Sequence, residues 1–143
     1  MLLRDCSGVP VEELLVGTGA SVEPVAPVAQ IVTAGAATYV AENLLRGILI
    51  RDPSGASRSD VTPSAAQLVA AAGSKYGGVK VGMIIPVLIV NCADAAEVIT
   101  VTVGAGVTLG ATPGTCAIGQ NASRMVLFRF TNVTPASEAV VMY

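Results

Sequence analysis

The sequence predicts a mainly β protein: an antiparallel β-sandwich or jelly-roll-like domain with one short helix and an extended N-terminal arm. Three observations lead there. Apolar residues make up 52% of the chain and aromatics only 3%, so the core must be built from Val, Ile, Leu and Ala, and the β-branched ones favour strands. From Gly78 onward, short apolar runs alternate with turn residues, the pattern of a sandwich or barrel. Only one stretch carries a convincing helix start. A chain of 143 residues fits one domain and can bury roughly two-thirds of its unfolded surface without a metal or disulfide staple.

Residues 1–36 read as the arm. Pro10, Pro24 and Pro27 interrupt it, and its apolar pieces, Val9 to Val16 and Val28 to Val32, could each add a strand to a sheet edge. Residues 37–143 form the β-rich domain. Its first part reads as a strand, a helical turn over Ala41 to Leu45 stopped by Gly47, and a strand over Ile48 to Arg51. Arg51-Asp52-Pro53-Ser54-Gly55 is a turn signal. Ala56 to Val61 is polar and is expected to be exposed. Thr62 is placed as the helix cap with Pro63 at the first helical position, and the helix is expected to end at Ala72 before Gly73.

The strands follow. Met83 to Asn91 is a nearly unbroken apolar run, with Pro86 marking an edge or a bulge. Val98 to Val103 places Ile99, Val101 and Val103 on one face. Short strands are expected at Val107 to Leu109 and at Thr115 to Ile118. In Ser123 to Asn132, Val126, Phe128 and Phe130 share one face with Arg124, while Met125, Leu127 and Arg129 take the other. Ala139 to Tyr143 is the last strand. Strands apolar on both faces predict contact on both sides of a sheet, one side the core and the other open to a partner subunit.

The residue inventory argues against catalysis. The chain has no His, which removes the commonest general base and metal ligand and every triad built on imidazole. Asp52, Asp60, Asp94, Glu97 and Glu138 lie in or beside turns and read as solvated acids. Asp94 and Glu97 are two acids where a hard cation needs six to eight oxygens, so no metal site is expected. Gly17-Thr18-Gly19-Ala20 and Gly104-Ala105-Gly106 lack the spacing, helix and downstream acid of a dinucleotide fingerprint, and no cofactor is expected. Cys6, Cys92 and Cys116 show no ligand spacing and read as buried free thiols.

Charge and hydropathy narrow the partners. Eight Lys and Arg against ten acids give a net charge of −2, so nothing attracts a phosphate backbone and no direct nucleic-acid partner is expected. The start, MLLRDCSG, has acid and base within five residues, which does not read as a secretory leader. The apolar run from Val79 to Val90 is too short to span a bilayer, so no membrane partner is expected. Charged residues are 13% of the chain, against about 25% in an ordinary soluble domain. Apolar surface should remain once one small core is filled, and other copies or a host assembly would bury it.

Several stretches resemble a known module. These are Leu44 through Arg51-Asp52-Pro53-Ser54-Gly55, then Asp60 and Thr62-Pro63-Ser64-Ala65-Ala66-Gln67-Leu68. Asn91-Cys92-Ala93-Asp94-Ala95-Ala96-Glu97 with Thr100, Val101, Gly104 and Gly106 follows. The ending adds Gln120-Asn121-Ala122-Ser123, Arg129-Phe130-Thr131-Asn132-Val133 and Glu138-Ala139. Over residues 38–143 the chain resembles the β-rich module of capsid decoration (cement) and head-fibre proteins of tailed bacteriophages. The resemblance implies a homo-trimer on the outer surface of the virion, made in the host cytoplasm, that clamps neighbouring copies of a major capsid protein. The chain has no fibre stalk or collagen-like repeat, which favours a compact cement protein. Capsid-interface candidates are Val9, Val11, Leu14, Leu15, Val28 and Ile31 in the arm. Trimer-interface candidates are Met125, Leu127 and Arg129. The competing expectations are a receptor- or glycan-binding knob of a phage fibre, which the few aromatics disfavour, and a non-viral assembly protein.

Overall fold

The structure is a computed structural model that describes residues 28–110 and 115–143. Two mixed sheets and two helices enclose one core. The larger sheet has six strands in the order β1 (Ala29–Ile31), β2 (Ile48–Arg51), β4 (Ile84–Asn91), β8 (Ser123–Asn132), β9 (Ala139–Met142), β6 (Val107–Leu109). The smaller has three, in the order β3 (Arg58–Val61), β5 (Ile99–Thr102), β7 (Cys116–Ile118). The helices are α1 (Ala41–Leu44) and α2 (Ala65–Tyr76).

The mainly β expectation holds, with one refinement: the sheets are mixed. β1–β2, β2–β4, β3–β5 and β6–β9 are parallel, while β4–β8, β8–β9 and β5–β7 are antiparallel. Parallel neighbours need a crossover rather than a hairpin. The β2-to-β4 connection supplies one by carrying β3 and α2.

Local chemistry explains most boundaries. Gly47 takes a φ of +86° after α1. β4 keeps Pro86 without losing a ladder bond. Leu127, opposite Pro86, exchanges both backbone bonds with Tyr143 on the β9 side, so by antiparallel alternation Pro86 turns its nitrogen away from β8. On that other side the pairing with β2 begins only at Leu88. Pro86 therefore sits on a locally free edge.

Helix α2 starts and stops later than the sequence predicts. Its cap is Ser64: Gln67 N donates to Ser64 Oγ at 3.2 Å, and Ser64 N donates to Gln67 Oε1 at 2.9 Å. This reciprocal pair satisfies two free donors. Thr62 is taken elsewhere, because its hydroxyl accepts from Gly104 N at 2.9 Å and donates to the Pro63 carbonyl. That approach is close enough that a Cβ on Gly104 would sit 2.5 Å from the Thr62 carbonyl oxygen. Gly73 stays helical, at a cost of about 1 kcal/mol relative to Ala, and Gly77 ends the helix in the left-handed region at φ +72°.

The core lies between the inner face of the large sheet and a cover made of α2 and the small sheet. Leu49, Val87, Ile89, Val126, Phe128, Phe130 and Val140 come from the large sheet, Ile99, Val101 and Ile118 from the small one, and Leu68 and Ala72 from α2. Residues 29–31 belong to this body. Ala29 is buried and pairs with Leu49, so the folded domain begins before residue 37.

Candidate functional site

The inner face of the large sheet carries Arg51, at the end of β2, and the half-buried Arg124 at the start of β8. Arg51 is fully buried, as is Asp60 on β3 of the small sheet. Arg51 Nε donates to Asp60 Oδ2 at 2.7 Å, and Nη2 reaches Oδ1 at 3.4 Å. The other donor bonds go to the carbonyls of Thr33, Asp52 and Gly35. All five guanidinium donors are engaged. Asp60 also accepts from Ala37 N at 2.7 Å and from the Tyr39 hydroxyl at 3.0 Å. Burial first, and the Asp60 carboxylate second, push the Tyr39 hydroxyl well above its ordinary pKa. Asn91 makes a second polar tie between the sheets, donating to the carbonyls of Glu97 and Ile118.

These contacts correct two expectations. Ala56 to Val61 is not an exposed polar stretch, since it contains β3, and Asp60 is not a solvated turn acid. Glu97 is also buried. At Asp60 the reason is pairing: a charge can be buried when a matched partner and further hydrogen bonds replace its water, whereas Glu97 Oε2 is buried with no hydrogen-bond partner among the described residues. Asp94 is exposed, as expected, and Asp52 accepts from Ser54 N in a local turn. The Arg51–Asp60 network is fully satisfied and closed to solvent. It joins the sheets and offers no free group for chemistry.

The opposite face of the large sheet is apolar and exposed among the described residues. Alternation places Ile48 and Ile50 of β2, Ile84, Pro86, Leu88 and Val90 of β4, and Met125 and Leu127 of β8 on it, with Val141 and Tyr143 at its β9 side. They are neighbours across strands: Ile48 pairs with Leu88, Leu88 with Met125, and Pro86 with Leu127. Ile84, Met125 and Tyr143 are each more than half exposed. No described residue packs over this face. Arg129 is the one charged strand residue on it, set between Ile84 and Val141, and it has no ion pair among the described residues.

The trimer-interface candidates Met125, Leu127 and Arg129 therefore lie together on the open face. Val28 is exposed, whereas Ile31 is half-buried and packs against the core. Val9, Val11, Leu14 and Leu15 lie outside the described residues. Sequence reasoning missed Ile48, Ile84, Leu88 and Tyr143 as members of the same face. The available signal was the unbroken apolar run of β4, which marks a strand apolar on both sides. Cys92 is exposed, contrary to expectation, because it sits just past the end of β4. Cys116 is buried, and both thiols are free.

Other features do not assemble into a chemical site. Among the described residues no group of three or more His, Cys, Asp or Glu converges as metal ligands, and no helix is long and apolar enough to cross a membrane. A groove of about 550 Å³ lies between residues 38–42 and α2, lined by Tyr39, Glu42, Gln67, Ala70 and Ser74. Comparison with known proteins yields no matching family model, no matching curated protein and no matching solved structure.

Proposed function

We propose that the protein is a structural component of a phage virion, a decoration protein that binds the outer capsid surface as a trimer and stabilises contacts between major capsid proteins. The observation that carries this reading is the apolar open face of the large sheet, which a working assembly would cover. The sequence resemblance to capsid decoration proteins points to the same class. A capsid repeats one site many times, so a trimer gains avidity from three modest contacts. Binding to the assembled shell then stabilises it by mass action. In this reading residues 1–27 contact the capsid and the β body holds the trimer.

The test is co-sedimentation with decoration-free capsids of the encoding phage, alongside light scattering. The full chain is expected to sediment with the capsids and to show three times the chain mass in solution. A chain lacking residues 1–27, which keeps β1 intact, is expected to retain that mass and lose the capsids. A full chain that ignores capsids would sink the decoration reading. Loss of the trimer on deletion would sink the division of labour between arm and body.

A further inference from the structure

We infer that the whole open face, from β2 across β4 and β8 to β9, is a self-association surface whose occupant is a second copy of this chain. The inference deepens the trimer reading and depends on it for the number of copies, though not for the choice of face. Four adjacent strands of four, eight, ten and four residues, at a spacing of about 4.8 Å and a rise of about 3.3 Å per residue, span roughly 400 Å² in projection. That is about half of the roughly 800 Å² per partner in a standard interface. The centre of the face is Leu88, Met125 and Leu127, with Ile48 and Tyr143 to either side and Arg129 as the single charge. Permanent interfaces are the more apolar ones, with charges scarce at the centre.

A second copy fits better than a passing partner. A face this apolar invites aggregation whenever it is bare, and another copy is at hand whenever the protein is made. Residues 28–143 carry seven basic and six acidic residues, a net charge of +1, so net-charge repulsion between two bodies is slight. The sheet edges are poor alternatives. β1 and β6 are three-residue strands, and short edge strands limit edge-to-edge pairing. Stacking faces is the ordinary way for sheets to bury apolar side chains. Arg129, without an ion pair within the described chain, is placed to meet a carboxylate of the neighbour.

The experiment is light scattering behind a sizing column over a hundredfold range of concentration. Samples are the full chain, the variant Met125→Glu with Leu127→Glu, and the control Ser59→Glu at an exposed position of β3. The full chain and the control are expected to hold a constant multiple of the chain mass. The double variant is expected to fall to a single-chain mass with its far-ultraviolet spectrum unchanged. If the double variant loses that spectrum, Met125→Lys alone, at a side chain more than half exposed, is read the same way. A variant that keeps the multimer places association elsewhere and overturns the inference. So does a full chain that is single at every concentration, including the case in which removing residues 1–27 makes it associate, because the chain's own N-terminal segment would then be the occupant. Capsid co-sedimentation is scored separately: a monomeric face variant that still binds capsids, only more weakly, supports the face and leaves the decoration reading standing. A full chain that forms the multimer but ignores capsids overturns only that reading.

Discussion

The two faces of the large sheet are built from the same strands and differ in what completes them. On β8, Val126, Phe128 and Phe130 are fully covered from within the chain, while Met125, Leu127 and Arg129 alternate with them and face outward. The two arginines make the same contrast. Arg51 on the inner face has every donor satisfied by named groups, and Arg129 on the outer face has no ion pair among the described residues. Hydrophobicity alone does not distinguish these faces. The inner one is finished by α2 and the small sheet, and the outer one has nothing of the described chain above it.

Substitutions should separate the faces by their cost. The largest effect is expected from Asp60→Leu, which leaves Arg51 buried without its partner and should cost about 3–5 kcal/mol in urea unfolding. Adding Arg51→Met should recover much of that loss, since an apolar replacement of both partners avoids the unpaired charge. A double variant no more stable than Asp60→Leu would show that the ion pair is not the tie between the sheets. Phe128→Ala should also cost about 3–5 kcal/mol. Its outward neighbour Met125→Ala, measured where the chain is single, should change stability by less than about 0.5 kcal/mol. Equal costs at the two positions would break the comparison.

A smaller effect concerns pH. The Tyr39 hydroxyl has a folded pKa raised above its unfolded value, so the folded state holds its proton longer. Its contribution is complete below the unfolded value of about 10 and is lost as pH rises beyond it. The Cys116 thiol is also pushed up by burial and acts in the same direction from about pH 8.5. Unfolding midpoints should therefore fall between about pH 9 and pH 11. Tyr39→Phe should flatten the upper part of that fall and cost about 1.5–3 kcal/mol at neutral pH through the lost bond to a carboxylate. An unchanged slope in Tyr39→Phe would remove the tyrosine from the account. Smaller still, Ser64→Ala should cost about 1 kcal/mol by removing the cap of the helix that covers the inner face.

Much of the fold was legible because it is local. The alternation in Ser123 to Asn132, the stop at Gly47 and the turn at Asp52 to Gly55 depend on neighbouring residues, and the structure has them where the sequence predicts. The helix boundaries were legible only within a few residues, because Thr62 and Ser64 are both competent caps and Gly104 decides between them from 40 residues away. Of the candidate site, periodicity identified Met125, Leu127 and Arg129 as one face of β8 and could not say whether that face was core or surface.

By itself, then, the sequence determined that this chain is mainly β, that its strands are apolar on both sides, and that its apolar surplus exceeds one small core. Period-two alternation, turn chemistry and composition are properties of adjacent residues. Only the tertiary structure decided that the sheets are mixed, that Asp60 is buried against Arg51, and that among the described residues the outward side of β2, β4, β8 and β9 is the open one. Those outcomes depend on which distant strands pair and on which side the helix and small sheet are laid. Such choices are set by long-range packing and by the matching of buried charges, and no local pattern encodes them.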